Sequence, residues 1–171
     1  MAASCDLRVE SLADHPELLE QVGLLRWTEW AFGAHDPAPF IEVTAQEAGP
    51  SGQLPVTLVA IDVAGGAVGA VGLDQVDNAL NAAERGVRRP WIVGMVVRAE
   101  NRKRGAGRQL LESLQDVAAS LGQSRTWVAT GDYAVGFYQC CGWVAVEHLT
   151  LESTEIPTTI LMRPVQATAV G

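Results

Sequence analysis

Two periods run through the hydrophobic positions of this chain. Near the amino end, Leu7-Arg8-Val9-Glu10 alternates with period two and predicts a strand, whereas Leu18, Val22 and Leu25 recur at helical spacing. Asp14-His15-Pro16-Glu17 supplies an N-cap and an early proline for that helix, which runs towards Trp30, with Pro37 and Pro39 breaking it soon afterwards. A weaker helical piece covers 40–48 and stops at Gly49-Pro50-Ser51-Gly52. Apolar runs at 56–62 and 67–73 flank Ala64-Gly65-Gly66 and predict an antiparallel hairpin. Residues 76–89 are polar and irregular, a loop long enough to border a site.

The run 90–97 is continuously apolar, as expected of a strand buried on both sides, and it marks the sheet centre. After a basic glycine turn, Leu110, Leu111, Leu114, Val117, Ala118 and Leu121 form a helical stripe that Gly122 ends. A strand at 126–130, a short helix at 134–141, a strand at 143–149 and a last strand near 159–162 complete the order. Residues 1–163 read as a single domain, and 164–171 as a flexible tail.

Composition narrows the class. At 171 residues and 48% hydrophobic content the chain supports one core, and no run is apolar enough to span a bilayer. Met1-Ala2-Ala3-Ser4 lacks the features of a signal peptide, and Cys5, Cys140 and Cys141 make no paired framework, which predicts a cytoplasmic protein. His15, His35 and His148 are scattered, so no metal site is expected. Cys140 and Cys141 have no activating base in view and read as packing residues.

Charge changes the picture more. The net charge is −8, yet between Arg85 and Arg108 eight Lys and Arg face the single acid Glu100, a local +7 against −15 elsewhere. An acidic whole disfavours nucleic-acid tracking. The contrast predicts a basic cofactor slot and a separate acidic, cation-attracting substrate mouth. The stretch ends in Arg102-Lys103-Arg104-Gly105-Ala106-Gly107-Arg108, a turn feeding a helix whose first N–H groups lack intrahelical acceptors and can cradle a phosphate. No Gly-x-x-x-x-Gly-Lys-Ser/Thr motif exists, this turn lacks the third small residue of a dinucleotide fingerprint, and Gly66, Gly69 and Gly72 precede no helix.

The order of elements and three motifs resemble the GCN5-related N-acetyltransferase (GNAT) superfamily. Val97 through Gly107 is similar to its Arg/Gln-x-x-Gly-x-Gly/Ala turn, and Phe137-Tyr138-Gln139-Cys140-Cys141-Gly142-Trp143 to its Phe-Tyr-x-x-x-Gly-Phe/Trp signature. Pro90-Trp91 opens the central strand as in several bacterial branches. The resemblance covers about 55–149 and implies an α+β fold: a mixed, twisted central sheet, antiparallel strands first, helices on both faces in a three-layer α/β/α arrangement. It implies that Arg102, Lys103, Arg104, Gly105, Ala106, Gly107 and Arg108 hold the pyrophosphate of acetyl-coenzyme A. It implies also that the backbone of Met95, Val96 and Val97 pairs with the pantetheine arm, one amide polarising the thioester carbonyl.

Acetyl transfer needs a neutral amine, a stabilised oxyanion and a proton for the departing thiolate. Tyr138 matches the family position that donates to sulfur and is the expected general acid. The central strand carries no carboxylate where some relatives have a glutamate, and Gly131 stands where many have asparagine. Asp77 is therefore the first candidate base, followed by Glu29 and Asp36, with a water relay left open. Trp27, Trp30, His35 and Asp36 lie in the region that lines the acceptor site in the family, and aromatic faces with carboxylates suit a cationic amine; packing of Trp27 and Trp30 on the sheet is the equal alternative. The expected enzyme is a monomeric or homodimeric N-acetyltransferase acting by direct attack on a small cationic amine such as an antibiotic, polyamine or amino sugar. A peptide amino terminus and a non-catalytic acyl-coenzyme A sensor are the alternatives, and no nucleic-acid or membrane partner is expected.

Overall fold

The computed structural model describes residues 6–166. In chain order the α-helices and strands are β1 (Arg8–Ser11), α1 (Leu19–Trp30), α2 (Ala38–Glu47), β2 (Val56–Ile61), β3 (Ala67–Asp74), α3 (Ala82–Arg85), β4 (Trp91–Val97), α4 (Ala106–Ser120), β5 (Arg125–Thr130), α5 (Asp132–Cys140), β6 (Val144–Thr150) and β7 (Pro157–Pro164). The strands form one mixed sheet in the order β1-β2-β3-β4-β5-β7-β6. The chain divides into two compact units, one running to Leu73 and adding Gly94–Leu114, the other made of Asp74–Val93 and the residues from Gln115 onward.

In the first unit the amino-terminal strands pair antiparallel, Val9 opposite Ala60 and Val59 opposite Ala70. Asp62 builds the hairpin turn: its Oδ1 accepts the Ala64 and Gly66 N–H groups at 3.0 and 2.9 Å. The core gathers Leu12, Leu18, Val22, Val59, Ile61, Ala67, Ala70 and Val96. Gly69 is a packing residue, because a Cβ there would lie 2.8 Å from the Val96 carbonyl oxygen. The expected Asp14 cap is not used. Two 3₁₀ turns, Leu12–Asp14 and Pro16–Leu18, precede α1, and neither has a side-chain cap. The helix ends at Trp30, as expected, and the prolines that follow have a further duty: they open α2, Pro39 in its first turn, where a missing N–H costs nothing.

The second unit packs Leu80, Trp91, Leu151 and Ile160 with Val93, Trp127, Ala129 and Leu149. β7 is inserted between β5 and β6 and pairs antiparallel with both, while β4 and β5 run parallel with Trp91 opposite Trp127. Two glycines end helices in the same way. At α5 the Trp143 N–H donates to the Tyr138 carbonyl and the Gly142 N–H to that of Gln139, both at 3.0 Å, with Gly142 at φ +94°. At the end of α4, Gln123 and Gly122 donate to Ala118 and Ala119 around a left-handed Gly122. The loop expected at 76–89 contains a capped helical turn, α3, in which Asn81 and Glu84 cap each other reciprocally. The carboxyl end is tied further than expected, since the Val165 N–H donates to the Ser124 carbonyl at 3.0 Å. The rest of the tail, with Cys5 and the opening Met1-Ala2-Ala3-Ser4, lies outside the described residues.

Candidate active site

The basic turn follows β4 directly. Arg98 ties the end of the strand to β3, its N–H donating to the Val68 carbonyl at 2.8 Å and its Nη2 to Ala67 at 2.7 Å. A 3₁₀ turn, Ala99–Asn101, leads to Lys103 at φ +60° and Gly105 at φ +90°, two left-handed residues that turn the backbone into α4. A Cβ on Gly105 would meet nothing within 4 Å, and Ala106 behind it is buried. Backbone N–H groups at the start of a helix can bind an anion. These residues fit the diphosphate of a coenzyme A. Lys103, Arg104 and Arg108 are exposed around it. Arg102 points elsewhere: its Nε donates to the Val97 carbonyl at 2.9 Å and its Nη2 meets the Glu29 carboxylate at 2.6 Å. Glu29, a candidate base in the sequence, is thus the ion-pair partner of a turn arginine.

Beside this turn, β4 holds a residue that sequence reasoning missed. Arg26 on α1 is 3% exposed, donating from Nε to the Gly94 carbonyl at 3.3 Å and from Nη1 to Thr44 Oγ1 at 3.1 Å and Glu47 Oε2 at 2.8 Å. Burial pulls its guanidinium pKa down, and the adjacent Glu47 opposes that shift. Gly94 sits at φ +57° within the strand, and a Cβ there would lie 2.4 Å from Arg26 Nη2. Removing one partner of such a buried pair costs ~3–5 kcal/mol. The signal was available: Leu18, Val22 and Arg26 fall at i, i+4 and i+8 on one helix face, and a charge on that stripe is out of pattern.

Two candidate catalytic residues, Tyr138 and Asp77, lie in the second unit. Tyr138 on α5 is 4% exposed, its ring edge-on to Phe137 and Trp143 at centroid distances of 5.3 and 6.0 Å. The Tyr-x-x-x-Gly-Trp spacing has a structural cause, the helix cap described above, which places Trp143 against Tyr138. The cap itself is made of backbone bonds and the packing beside it uses the ring, so neither calls on the hydroxyl. Burial pushes the phenol well above its ordinary pKa, with Tyr133, Cys141 and Asp77 adding to the shift.

Asp77, half-buried, accepts the Ala79 N–H at 2.9 Å through Oδ1. Burial raises its carboxyl pKa and Asp74 adds to this, while the Ala79 N–H and the Arg85 guanidinium pull the other way. Arg85 holds the loop by donating to the Asp77 carbonyl at 3.2 Å and to the Leu80 carbonyl. Arg88 pairs with Glu147, donates to the Glu84 carbonyl and lies 5.3 Å over the Trp127 ring. The basic excess read as one slot is therefore divided, and these two arginines belong to the Asp77 loop.

The residues expected to line the acceptor site have structural duties. Trp27 Nε1 donates to the Ala34 carbonyl at 3.0 Å, closing the exit of α1, and Trp30 packs against the first core. Asp36 Oδ1 accepts the Ala38 N–H at 2.9 Å and so starts α2. His35 is exposed. Cys140 is exposed and Cys141 buried. Among the described residues no three His, Cys, Asp or Glu side chains are grouped to hold a metal, and no helix is long and apolar enough to cross a membrane.

The sequence profile of the Acetyltransferase (GNAT) family matches residues 19–143, and the chain belongs to this family of acyl-coenzyme A-dependent N-acetyltransferases. Similar solved structures include an aminoglycoside 6′-N-acetyltransferase complexed with coenzyme A, at TM-score 0.75 and 16% identity over 94% of this chain and 98% of that one. The aminoglycoside 6′-N-acetyltransferase from Enterococcus faecium aligns at TM-score 0.71 and 16% identity, over 94% and 98% of the two chains. A spermidine N-acetyltransferase chimera from Vibrio cholerae aligns at 0.66 and 17%, over 92% and 95%. At such identities the likeness is one of fold, a mixed seven-stranded sheet of the α+β class. No curated protein sequence matches the chain.

Proposed function

We propose that this enzyme moves an acetyl group from acetyl-coenzyme A to a small cationic amine by direct attack within a ternary complex. The observation that carries this reading is the turn after β4, where Lys103 at φ +60° and Gly105 at φ +90° lead the backbone into α4 in a chain of the acetyltransferase family; the second unit adds a buried tyrosine, Tyr138, and a half-buried carboxylate, Asp77. Bound acetyl-coenzyme A supplies an electrophilic thioester carbonyl and a thiol leaving group. The turn from Arg102 to Arg108 holds the diphosphate through backbone N–H groups, with Lys103, Arg104 and Arg108 adding charge. The backbone of Met95, Val96 and Val97 orients the acyl arm. Tyr138 keeps a proton at its hydroxyl for the departing sulfur. Asp77 takes one from the alkylammonium acceptor, whose free pKa lies near ~10.

A net charge of −8, with the basic excess confined to one stretch, favours a cationic acceptor. The fold neighbours whose names give aminoglycosides or spermidine are in keeping with that class. The test is coenzyme A release followed over a panel of aminoglycosides, polyamines, amino sugars, neutral amines and peptides. Turnover concentrated on polycationic small amines is the expected result. Turnover confined to anionic acceptors or to peptide amino termini overturns the acceptor assignment.

A further inference from the structure

We infer that Arg26 is a positioning residue for acyl transfer: by holding the Gly94 carbonyl it orients and polarises the Gly94–Met95 peptide, making the Met95 N–H the donor that β4 offers to the acyl carbonyl. The inference rests on the acetyl-transfer reading above, in which the β4 backbone meets the acyl arm. It adds a side chain to a step so far carried by backbone alone.

Three observations lead there. Gly94 departs from strand geometry at φ +57°, and its carbonyl is turned towards α1, where Arg26 Nε lies 3.3 Å away. The Gly94–Met95 bond is trans, so its C=O and N–H point in opposite directions. Fixing the carbonyl on Arg26 therefore fixes the direction of the Met95 N–H, away from α1. A carbonyl that accepts from a cation draws electron density from its own amide nitrogen, which makes that N–H a stronger donor.

The arginine itself is held for this contact. Thr44 and Glu47 take its Nη1, so the guanidinium plane is set from α2, and the Gly94 Cα lies under it with no room for a methyl group. Its Nη2 is buried and has no hydrogen-bond partner among the described residues. A core shaped for stability alone would place an apolar side chain here, since burying a cation and leaving a donor unmet both oppose folding. The charge is retained at the one strand position whose carbonyl faces it.

The experiment compares the wild type with Arg26→Met and with the double variant Arg26→Met/Glu47→Met, which removes both members of the buried ion pair together if the single variant fails to fold. Two quantities are read: the acetyl carbonyl stretch of bound [1-13C]acetyl-coenzyme A by isotope-edited infrared spectroscopy, and the split between kcat and coenzyme A affinity. In the wild type the stretch moves to lower frequency than in solution. In the variants most of that shift is lost and kcat falls by ~30–100-fold, below the ~10²–10³-fold of losing an oxyanion donor outright because the N–H itself remains, while the Kd for coenzyme A stays within about threefold. An unchanged shift and kcat in a folded variant overturns the proposal, and so does loss of coenzyme A affinity in step with rate, which marks a merely structural arginine. A wild type that turns over without any shift overturns it as well. A wild type that acetylates no amine in the panel fails the transfer reading itself, a separate result.

Discussion

In the second unit Arg85 and Arg88 turn their guanidinium groups inward, on to the carbonyls of Asp77, Leu80 and Glu84, the Glu147 carboxylate and the Trp127 ring. In the first unit Lys103, Arg104 and Arg108 stay exposed around the opening of α4. The two groups come from one basic stretch of sequence, yet one set organises a loop that carries a carboxylate and the other surrounds the backbone N–H groups at a helix start. The difference teaches that a local charge count locates cations without saying what they serve. On the proposed mechanism it also separates proton handling, assigned to Tyr138 and Asp77, from cofactor holding, assigned to the turn with Gly105.

That separation can be broken by substitution. Tyr138→Phe keeps the ring that packs beside the α5 cap and removes the O–H, so kcat should drop by ~10²–10³-fold, read from steady-state coenzyme A release. Asp77→Asn should cost ~30–100-fold and remove the acidic limb of the kcat/KM profile. In the wild type that limb lies above the ordinary carboxylate range, because burial favours the protonated form and activity is lost as pH falls through the raised pKa. A limb unchanged in Asp77→Asn would hand the base role to water or another carboxylate.

Smaller effects belong to the turn. Gly105→Ala puts a methyl group into space that is open in the protein, with a backbone penalty of ~1–2 kcal/mol at φ +90°, and should weaken coenzyme A binding by ~10-fold in calorimetry. Arg104→Ala should raise Kd by ~3-fold at low salt, an effect that fades as ionic strength rises. Its counterpart Arg88→Met should leave Kd unchanged and lower Tm by ~2–4 °C. A salt-sensitive Kd in Arg88→Met would merge the two groups of cations again.

Much of this arrangement is legible in the sequence, for physical reasons that differ by element. The β2–β3 hairpin, the buried β4 run and the α4 stripe are written in local periodicity, and Gly122 and Gly142 mark helix ends because only a left-handed residue closes them cheaply. Pro37 and Pro39 read only as breakers, because a proline that stops one helix is equally suited to start the next. Asp36 and Trp27 read as ligand-facing residues, but their partners are nearby backbone groups that no composition reveals. Arg26 needed tertiary knowledge: its pattern break was visible, whereas Gly94 lies 68 residues away along the chain. Glu29 and Arg102 are likewise joined only by the fold, 73 residues apart.

The most direct test measures two quantities on the same preparations of Tyr138→Phe and Gly105→Ala: the calorimetric Kd for coenzyme A and the single-turnover rate of transfer at saturating acetyl-coenzyme A. The account predicts a crossover, with Tyr138→Phe losing rate by ~10²-fold or more at an unchanged Kd and Gly105→Ala losing affinity at a rate within about twofold of wild type. Equal losses of rate and affinity in both variants, or wild-type rate in Tyr138→Phe, would contradict it.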